Sequence, residues 1–397
     1  MTAEAVLIAA LSGRALASAA RRAGYLPFVV DAFGDSDTQE IAAGSACLGE
    51  AVHAGFRAKS LIAALKTLAA EAPGPPVGLV LGSGFEDTPR LVATLAKQFR
   101  LLGNDADAIA RAKDPKDFFG LLDRLGVTHP ETTLSPPGSP EGWLSKRIGG
   151  SGGAHILPCA RVTKARGRYY QRRLTGDPVS VLALAEGNEV RIAGVSRQWT
   201  TGTGPRPFRY GGAAGPVALG PDIEAHMVNA AHSVSRALGL VGLVSFDFLV
   251  VGTVLPYLLE VNPRPGATLD VLDGPRRALF RAHVAASVGN ATAILPSSEQ
   301  RAAAILYADA GPLSIGAVTW PSWTADRPTP GTRIPRYRPI ATVLAAGSTA
   351  DEARSICERR LDELSEMLYG RAQHREPNHA KPDRPISERF GERRPYR

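Results

Sequence analysis

Three oxygen-bearing side chains fall close together in the second half of the chain. Ser245-Phe246-Asp247-Phe248 and Leu258-Leu259-Glu260-Val261-Asn262 read as two apolar strands joined by a short turn at Gly252-Thr253. Glu260 and Asn262 are two apart, so on a strand both point to one face. Asp247, on the partner strand, reaches the same place. Two carboxylates and an amide carbonyl are hard oxygen donors, the kind that hold Mg2+ jointly with phosphate oxygens. The apolar flanks argue against a solvated hairpin, because burying carboxylates without a cation is costly. Pro263-Arg264-Pro265-Gly266-Ala267 follows at once, placing Arg264 where a guanidinium can hold a carboxylate or a transferring phosphoryl group. Asp270 and Asp273, further along, are expected to cap helices.

Upstream lies a second group suited to phosphate. Lys146 ends the strand Trp143–Ile148, and Gly149-Gly150-Ser151-Gly152-Gly153 follows. A loop of this composition lets successive backbone N–H groups converge on phosphate oxygens, and the lysine adds a point charge. A third segment, Tyr169-Tyr170-Gln171-Arg172-Arg173-Leu174, reads as a strand whose Gln171–Leu174 backbone edge can meet an adenine ring, with Leu174 against a face. Asp177 lies where a carboxylate can accept from ribose hydroxyls. Between Thr200 and Gly215 the composition turns to Gly, Thr, Pro and Arg, a loop long enough to be functional, with Arg206 and Arg209 as candidates for holding an acidic co-substrate. Gly149–Gly153 also matches the G-x-S-x-G pattern of serine hydrolases, with Asp247 and His283 following in hydrolase order, but that elbow needs a helix after Ser151 and His155-Ile156-Leu157-Pro158 reads as extended.

The elements that must position these groups alternate. Val6–Ala10, a helix from Ala15, Pro27–Asp31, a helix over Lys59–Ala72 and Val77–Leu81 read as strand–helix–strand repeats of a parallel sheet. The third strand ends in Gly82-Ser83-Gly84-Phe85-Glu86-Asp87, at the carboxyl end where such sheets bind ligands. No G-x-G-x-x-G follows the first strand, so no dinucleotide fingerprint is assigned. Asp114-Pro115 predicts a helix start and Gly126 its stop. Arg168–Leu174, Val179–Ala185 and Arg191–Arg197 read as three successive strands of one antiparallel sheet. Helices are expected over Asp222–Leu238, Arg276–Val288 and Asp351–Leu368.

The 397-residue length predicts several packed units, and 44% hydrophobic with 21% charged residues is ordinary for a soluble globular chain. No signal peptide is read at the start, and no apolar run reaches the roughly 20 residues that cross a bilayer. Three scattered cysteines form no C-x-x-C pair, which fits a reducing cytoplasm. Of the net charge of +8, half falls in Arg371–Arg397, a Pro- and Arg-rich stretch that reads as a disordered basic tail, so neither a nucleic acid nor a membrane is expected as partner.

Taken in order, these residues resemble the ATP-grasp superfamily over about residues 1–370, most specifically in Ser-Phe-Asp-Phe (245–248) and Leu-Glu-Val-Asn-Pro-Arg-Pro-Gly-Ala-Thr-Leu-Asp (259–270). Within it the chain looks closest to the predicted ATP-dependent carboligases that include tyramine–glutamate ligase. The resemblance implies an α/β fold: a Rossmann-like pre-ATP-grasp domain (1–103), an ATP-grasp module (104–298) with a lid near 127–200, and a small β-rich domain (299–370). It implies that Asp247, Glu260 and Asn262 hold two Mg2+, that Lys146 contacts ATP phosphate, and that the Gln171–Leu174 edge, Arg172 included, binds adenine. A second phosphate-contacting lysine is Lys113 or Lys116, with Lys113 preferred. The activity implied is amide formation through an acyl phosphate, joining a small carboxylate such as glutamate to an amine, in assembly of a C1-carrier cofactor. A biotin-carboxylase-like or purine-biosynthesis-like enzyme and a non-catalytic ATP-binding protein are the alternatives. A homodimer is the default assembly.

Overall fold

The computed structural model describes residues 3–162, 166–252, 255–274, 278–290, 293–295, 297 and 299–370. The expected basic tail, the tip of the Gly252-Thr253 turn and the expected helix start at Arg276 lie outside them.

The first unit is a parallel sheet of β1 (Ala5–Ala9), β2 (Leu26–Asp31), β3 (Gly44–Cys47), β4 (Leu79–Leu81) and β5 (Leu101–Leu102), in the order β3-β2-β1-β4-β5. Every residue of β1 is buried, as expected of a strand covered by crossover helices on both faces. Its switch point falls between β1 and β4, so the turns after them, Ser12-Gly13-Arg14 and Gly82–Asp87, share one end of the sheet.

A four-stranded antiparallel sheet follows, made of β6 (Thr132–Thr133), β7 (Trp143–Arg147), β8 (Leu157–Pro158) and β9 (Arg168–Arg172), in the order β6-β9-β7-β8. The third sheet has eight strands: β10 (Asp177–Glu186), β11 (Glu189–Thr200), β12 (Tyr210–Gly215), β13 (Gly242–Val251), β14 (Leu255–Asn262), β15 (Gln300–Tyr307), β17 (Thr324–Ala325) and β19 (Pro339–Gly347). Their order is β14-β13-β10-β11-β12-β15-β19-β17, while β16 (Leu313–Ser314) and β18 (Arg333–Ile334) pair separately. Two expectations need correction. Strand β9 lies in the small sheet, apart from β10 and β11. The expected 200–215 loop is shorter, because β11 runs on to Thr200 and Tyr210–Gly215 is a strand pairing with both β11 and β15. Gly211 and Gly212 pass close to the Trp199 ring, which leaves no room for a Cβ at either position. Through β12 the strands after residue 299 continue the large sheet.

One face of the large sheet packs Val179, Val181, Phe246, Phe248, Leu258 and Val261 against the helices Pro115–Leu125 and Pro221–Leu238. The helix Pro115–Leu125 starts and stops as expected: Asp114 accepts from the Lys116 and Asp117 N–H groups, and Gly126 takes the left-handed conformation (φ 65°). The other face carries Leu182, Leu184 and Leu243 into a core shared with Val6, Ile8 and Phe280. Arg14, at the start of the first helix, ties the parts together. It is 5% exposed, holds Asp270 through Nη1 and Nη2 at 2.6 and 2.5 Å, and reaches both oxygens of Asp326 at 3.1 Å. Asp270 therefore serves as an ion-pair partner and caps no helix. Asp273 pairs with Arg22 at 2.8 Å and also accepts from the N–H of Leu279, the first residue of the helix Leu279–Ser287.

Beside Arg14 the buried carboxyl of Asp35 is pushed up to about 8, by burial first and then by Asp326, Asp31 and Asp37. A folded-state value above the unfolded one means that the folded protein binds the extra proton. The stability this provides is full below about pH 4 and is lost as pH rises toward 8. Asp35→Asn is therefore expected to raise Tm by several degrees at pH 8 and to change it little at pH 4.5. Melting curves across that range check this, and a pH-independent shift would contradict it.

Candidate functional site

Asp247 and Glu260 stand directly opposite each other on β13 and β14, and Ser245 faces Asn262. The register then slips at Leu259, so that Phe248 pairs with Leu258. This bulge turns Leu258 and Val261 toward the helix core while Glu260 and Asn262 remain together on the opposite face. There the polar groups form one network. Asn262 Nδ2 donates to Asp247 Oδ2 at 2.9 Å, and Gln198 Nε2 donates to Asp247 Oδ1 at 3.3 Å. Lys113 Nζ donates to Asn262 Oδ1 at 2.8 Å and stands 3.4 Å from Glu260 Oε2. Lys113 reaches this place from the end of the helix Ala106–Lys113, whereas Lys116 is exposed one turn on. Burial and then Glu260 push the Asp247 carboxyl above its usual range. Burial acts on Glu260 in the same direction, but Lys113 and Lys146 hold it below.

Among the described residues no three His, Cys, Asp or Glu side chains converge as a metal cage. A cation here would draw two carboxylates and one amide oxygen from the chain and its remaining ligands from phosphate and water. That is the habit of Mg2+, and an Asp247 carboxyl whose proton affinity is raised by the facing Glu260 suits a divalent charge between the two. The donor set fits.

Lys146 is 7% exposed, and its ammonium donates to Gln171 Oε1 at 2.6 Å. Burial pushes it down to about 8, while Glu260 and Asp247 oppose the shift. The loop Gly149-Gly150-Ser151-Gly152-Gly153 leads away from it. Gly153 has φ 71°, and a Cβ there would lie 1.9 Å from the Phe208 carbonyl oxygen, so no side chain fits. Tyr210 N–H donates to Gly152 O at 3.0 Å. His155, under Gly150, is pushed down to about 4 by burial and stays neutral at pH 7. Arg264 turns its Nε to Glu86 Oε1 at 2.6 Å, and Glu86 also accepts from the Gly84 and Phe85 N–H groups at 2.7 and 3.0 Å. The site thus joins the first unit's β4 turn to the large sheet.

Other expected site residues lie differently. Strand β9 is interior to its sheet: Gln171 pairs with Thr132 on one side and Leu144 on the other, Arg172 N donates to Glu131 O, and Arg173 N to Gly142 O. A free backbone edge for a base therefore starts only at Leu174. The Arg172 side chain packs over the Trp143 ring. Asp177 is exposed and, three residues before Ser180, points to the sheet face opposite Asp247. Its expected ribose contact lacks support from this placement. Arg209 is 1% exposed and held by Asp309 at 2.9 and 2.7 Å, and Arg206 donates to Tyr337 O, so Arg209 is no free clamp for an acidic substrate. The hydrolase alternative falls as well. Among the described residues no α-helix starts at Ser151, since the chain runs on to β8 and a three-residue 3-10 turn, and His283 is locked between Leu243 N and Leu102 O in the core. Sequence reasoning missed Gln198, Tyr210 and the pairing of Glu86 with Arg264. The first two sit where bulges shift the strand alternation, so their face could not be read from spacing.

A sequence model of the ATP-grasp domain matches residues 113–268, the stretch that runs from Lys113 through the glycine loop to the β14 loop. The chain carries an ATP-grasp domain and has the ATP-grasp fold. The carbamoyl phosphate synthase large chain of Myxococcus xanthus is 25% identical over 218 residues, which cover 49% of this chain and only 20% of that one. Among solved structures, the biotin carboxylase–β,γ-ATP complex from Campylobacter jejuni superposes with a TM-score of 0.64 at 15% identity, covering 91% of each chain. An L-amino acid ligase from Bacillus licheniformis reaches 0.66 at 14%, over 91% of this chain and 98% of that one.

Proposed function

We propose that this chain is an ATP-dependent carboxylate–amine ligase that works through an acyl phosphate. The observation that supports this most is the convergence of Asp247, Glu260 and Asn262 beneath Lys113 and Lys146, inside an ATP-grasp domain. In this reading Asp247, Glu260 and Asn262 hold two Mg2+. Bound there, the ions neutralise and orient phosphate oxygens. Lys113 and Lys146 carry positive charge to the same oxygens, the glycine loop from Gly150 to Gly153 supplies backbone donors, and Leu174 contacts the base. Arg264, steadied by Glu86, holds the substrate carboxylate against the γ-phosphorus. A carboxylate oxygen attacks that phosphorus, and the bond to the β,γ-bridging oxygen breaks to release ADP. The amine nitrogen then attacks the acyl carbon, the bond to phosphate oxygen breaks, and phosphate and a proton leave. No side-chain nucleophile is required, and the lid excludes water from the labile intermediate.

Glutamate heads the list of acids and primary amines the list of nucleophiles, with C1-carrier cofactor assembly as the setting and a cytoplasmic homodimer as the working form. Among the described residues no helix is long and apolar enough to cross a membrane. The test is a screen of amino acids and amines for ADP release with Mg-ATP, with mass spectrometry of any product. Lys146→Ala is expected to abolish that release while leaving the far-UV spectrum unchanged. Undiminished turnover in this variant would remove the assignment.

A further inference from the structure

Arg209 is held by Asp309, but Arg206, in the same loop, keeps free donors. Its Nη1 donates to Tyr337 O at 3.0 Å, and its Nε and Nη2 have no partner among the described residues. Its guanidinium stands 6.0 Å from the centre of the Tyr337 ring, and that of Arg336 stands 4.9 Å from the same ring. Arg338 follows Tyr337, and its Nη2 donates to His53 Nδ1 of the first unit at 3.4 Å. Arg209 stacks on the Tyr307 ring at 3.7 Å. Among the described residues Asp309 is the one carboxylate in ion-pair contact with these four cations, and both its oxygens go to Arg209. Arg206, Arg336 and Arg338 therefore form a cation cluster without a counter-ion. Burial, then Arg338 and Arg209, hold the Arg206 guanidinium below its ordinary value, as like charges pressed together must. The backbone keeps them there. Tyr337 has φ 68°, a left-handed conformation that a bulky residue adopts only where its surroundings impose it. Its N–H donates to Ala308 O at 2.9 Å, and Arg338 O accepts from Ala308 N–H at 2.9 Å. Arg336 Nε donates to Asp309 O at 3.2 Å. The turn from β18 to β19 is thus tied on both sides of Tyr337 to the residues after β15, with Arg336 exposed and Arg338 half-buried. The cluster adjoins the glycine loop. Arg161 Nη1 donates to Gly204 O at 2.7 Å, and the Phe208 carbonyl, two residues after Arg206, sits against Gly153. Two residues span at most about 7 Å of chain.

We propose that Arg206, Arg336 and Arg338 form an oxyanion site that holds the non-reacting carboxylate or phosphate of a substrate, an assignment that rests on the ligase reading above. The chemistry selects the group. Guanidinium forks bind carboxylate and phosphate oxygens through paired N–H donors, and they repel an ammonium and offer nothing to an apolar end. An anion also relieves the crowding of charge that the free protein carries. The substrate so chosen bears a negative group at the end remote from bond making, as a diacid or a phosphorylated molecule does. In this arrangement Arg264 holds the carboxylate that reacts, and the cluster holds a second anion. The three arginines position the substrate and take no part in bond making.

The experiment compares Arg336→Gln and Arg338→Gln with the unaltered protein. Inorganic phosphate and glutarate, standing for the two kinds of anion, are titrated by calorimetry into the full chain saturated with Mg-ADP. The wild type is expected to bind at least one of them. Both variants are expected to weaken that binding about tenfold or more, while their Mg-ADP affinity stays within twofold of wild type. Arg338→Gln without either probe is further expected to keep or raise Tm, since it removes a charge that crowds Arg206. A wild type that binds neither probe, binding unweakened in both variants, or a Tm lowered by several degrees in Arg338→Gln overturns the assignment. So does a tenfold loss of Mg-ADP affinity in the variants, which would give these arginines to the nucleotide. A wild-type protein that binds no Mg-ADP overturns the ligase reading itself. The probes are then titrated without nucleotide, and the same comparison of variants still decides whether the arginines hold an anion.

Discussion

Glu260→Gln is expected to lower Mg-ATP turnover by about a thousandfold or more with Tm changed by only a few degrees. The substitution keeps the size of the side chain and its place on β14, opposite Asp247. It removes the negative charge that faces Lys113 at 3.4 Å and that the proposed metal ions require. Phosphoryl transfer depends almost wholly on placed charge, so a lost anion in the metal set costs far more in rate than in stability. The fold does not lean on Glu260: Asn262 and Gln198 still bind Asp247, and the Leu258 and Val261 side chains still fill the helix core. A coupled assay for ADP release, run beside a melting curve, separates the two effects. Turnover within tenfold of wild type would show that Glu260 holds no catalytic ion.

Arg14→Met has the opposite signature. The variant is expected to lose roughly 3–5 kcal/mol of stability, the usual cost of breaking a buried ion pair by removing one member. Both partners of Arg14 are mostly buried, with Asp270 14% and Asp326 19% exposed, and neither can recover full hydration in place. Asp35, Asp31 and Asp37 lie close by, so with Arg14 gone less of their mutual repulsion is relieved, and Arg327 beside Asp37 is left to offset it. Denaturant titration at pH 7.5 reads the loss directly. At pH 4.5, where the neighbouring acids take up protons, the deficit is expected to shrink. A loss below 1 kcal/mol at pH 7.5 would mean that the three carboxyl-bearing segments are held by packing alone.

The parts of the fold visible in the sequence were those governed by local rules. The parallel strands of the first unit, the Asp114–Gly126 helix boundaries and the β13–β14 pair all follow from apolar runs and end signals. Glu260 and Asn262 share a face as their spacing predicts. Long-range decisions were hidden. Nothing local distinguishes β9, which joins the small sheet, from β10, which joins the large one, because both alternate in the same way. Tyr210–Gly215 reads as loop because glycine and alanine lack strand-forming side chains, and the glycines are explained by distant neighbours, Trp199 and the Ala303 carbonyl among them. Spacing hid the face of Asp177 and the partner of Asp270 for a related reason: the first depends on which sheet face is which, and the second on Arg14, some 256 positions earlier in the chain. Arg209 looked like a surface cation until Asp309 arrived from the far strands.

The glycine loop is fastened at Gly152 to the backbone of Tyr210 and at Gly153 sits against the Phe208 carbonyl. In the ligase proposed above, lifting that loop to admit a nucleotide would also break its hydrogen bond to Tyr210, the first residue of β12, so the loop and the edge of the large sheet would respond as one piece.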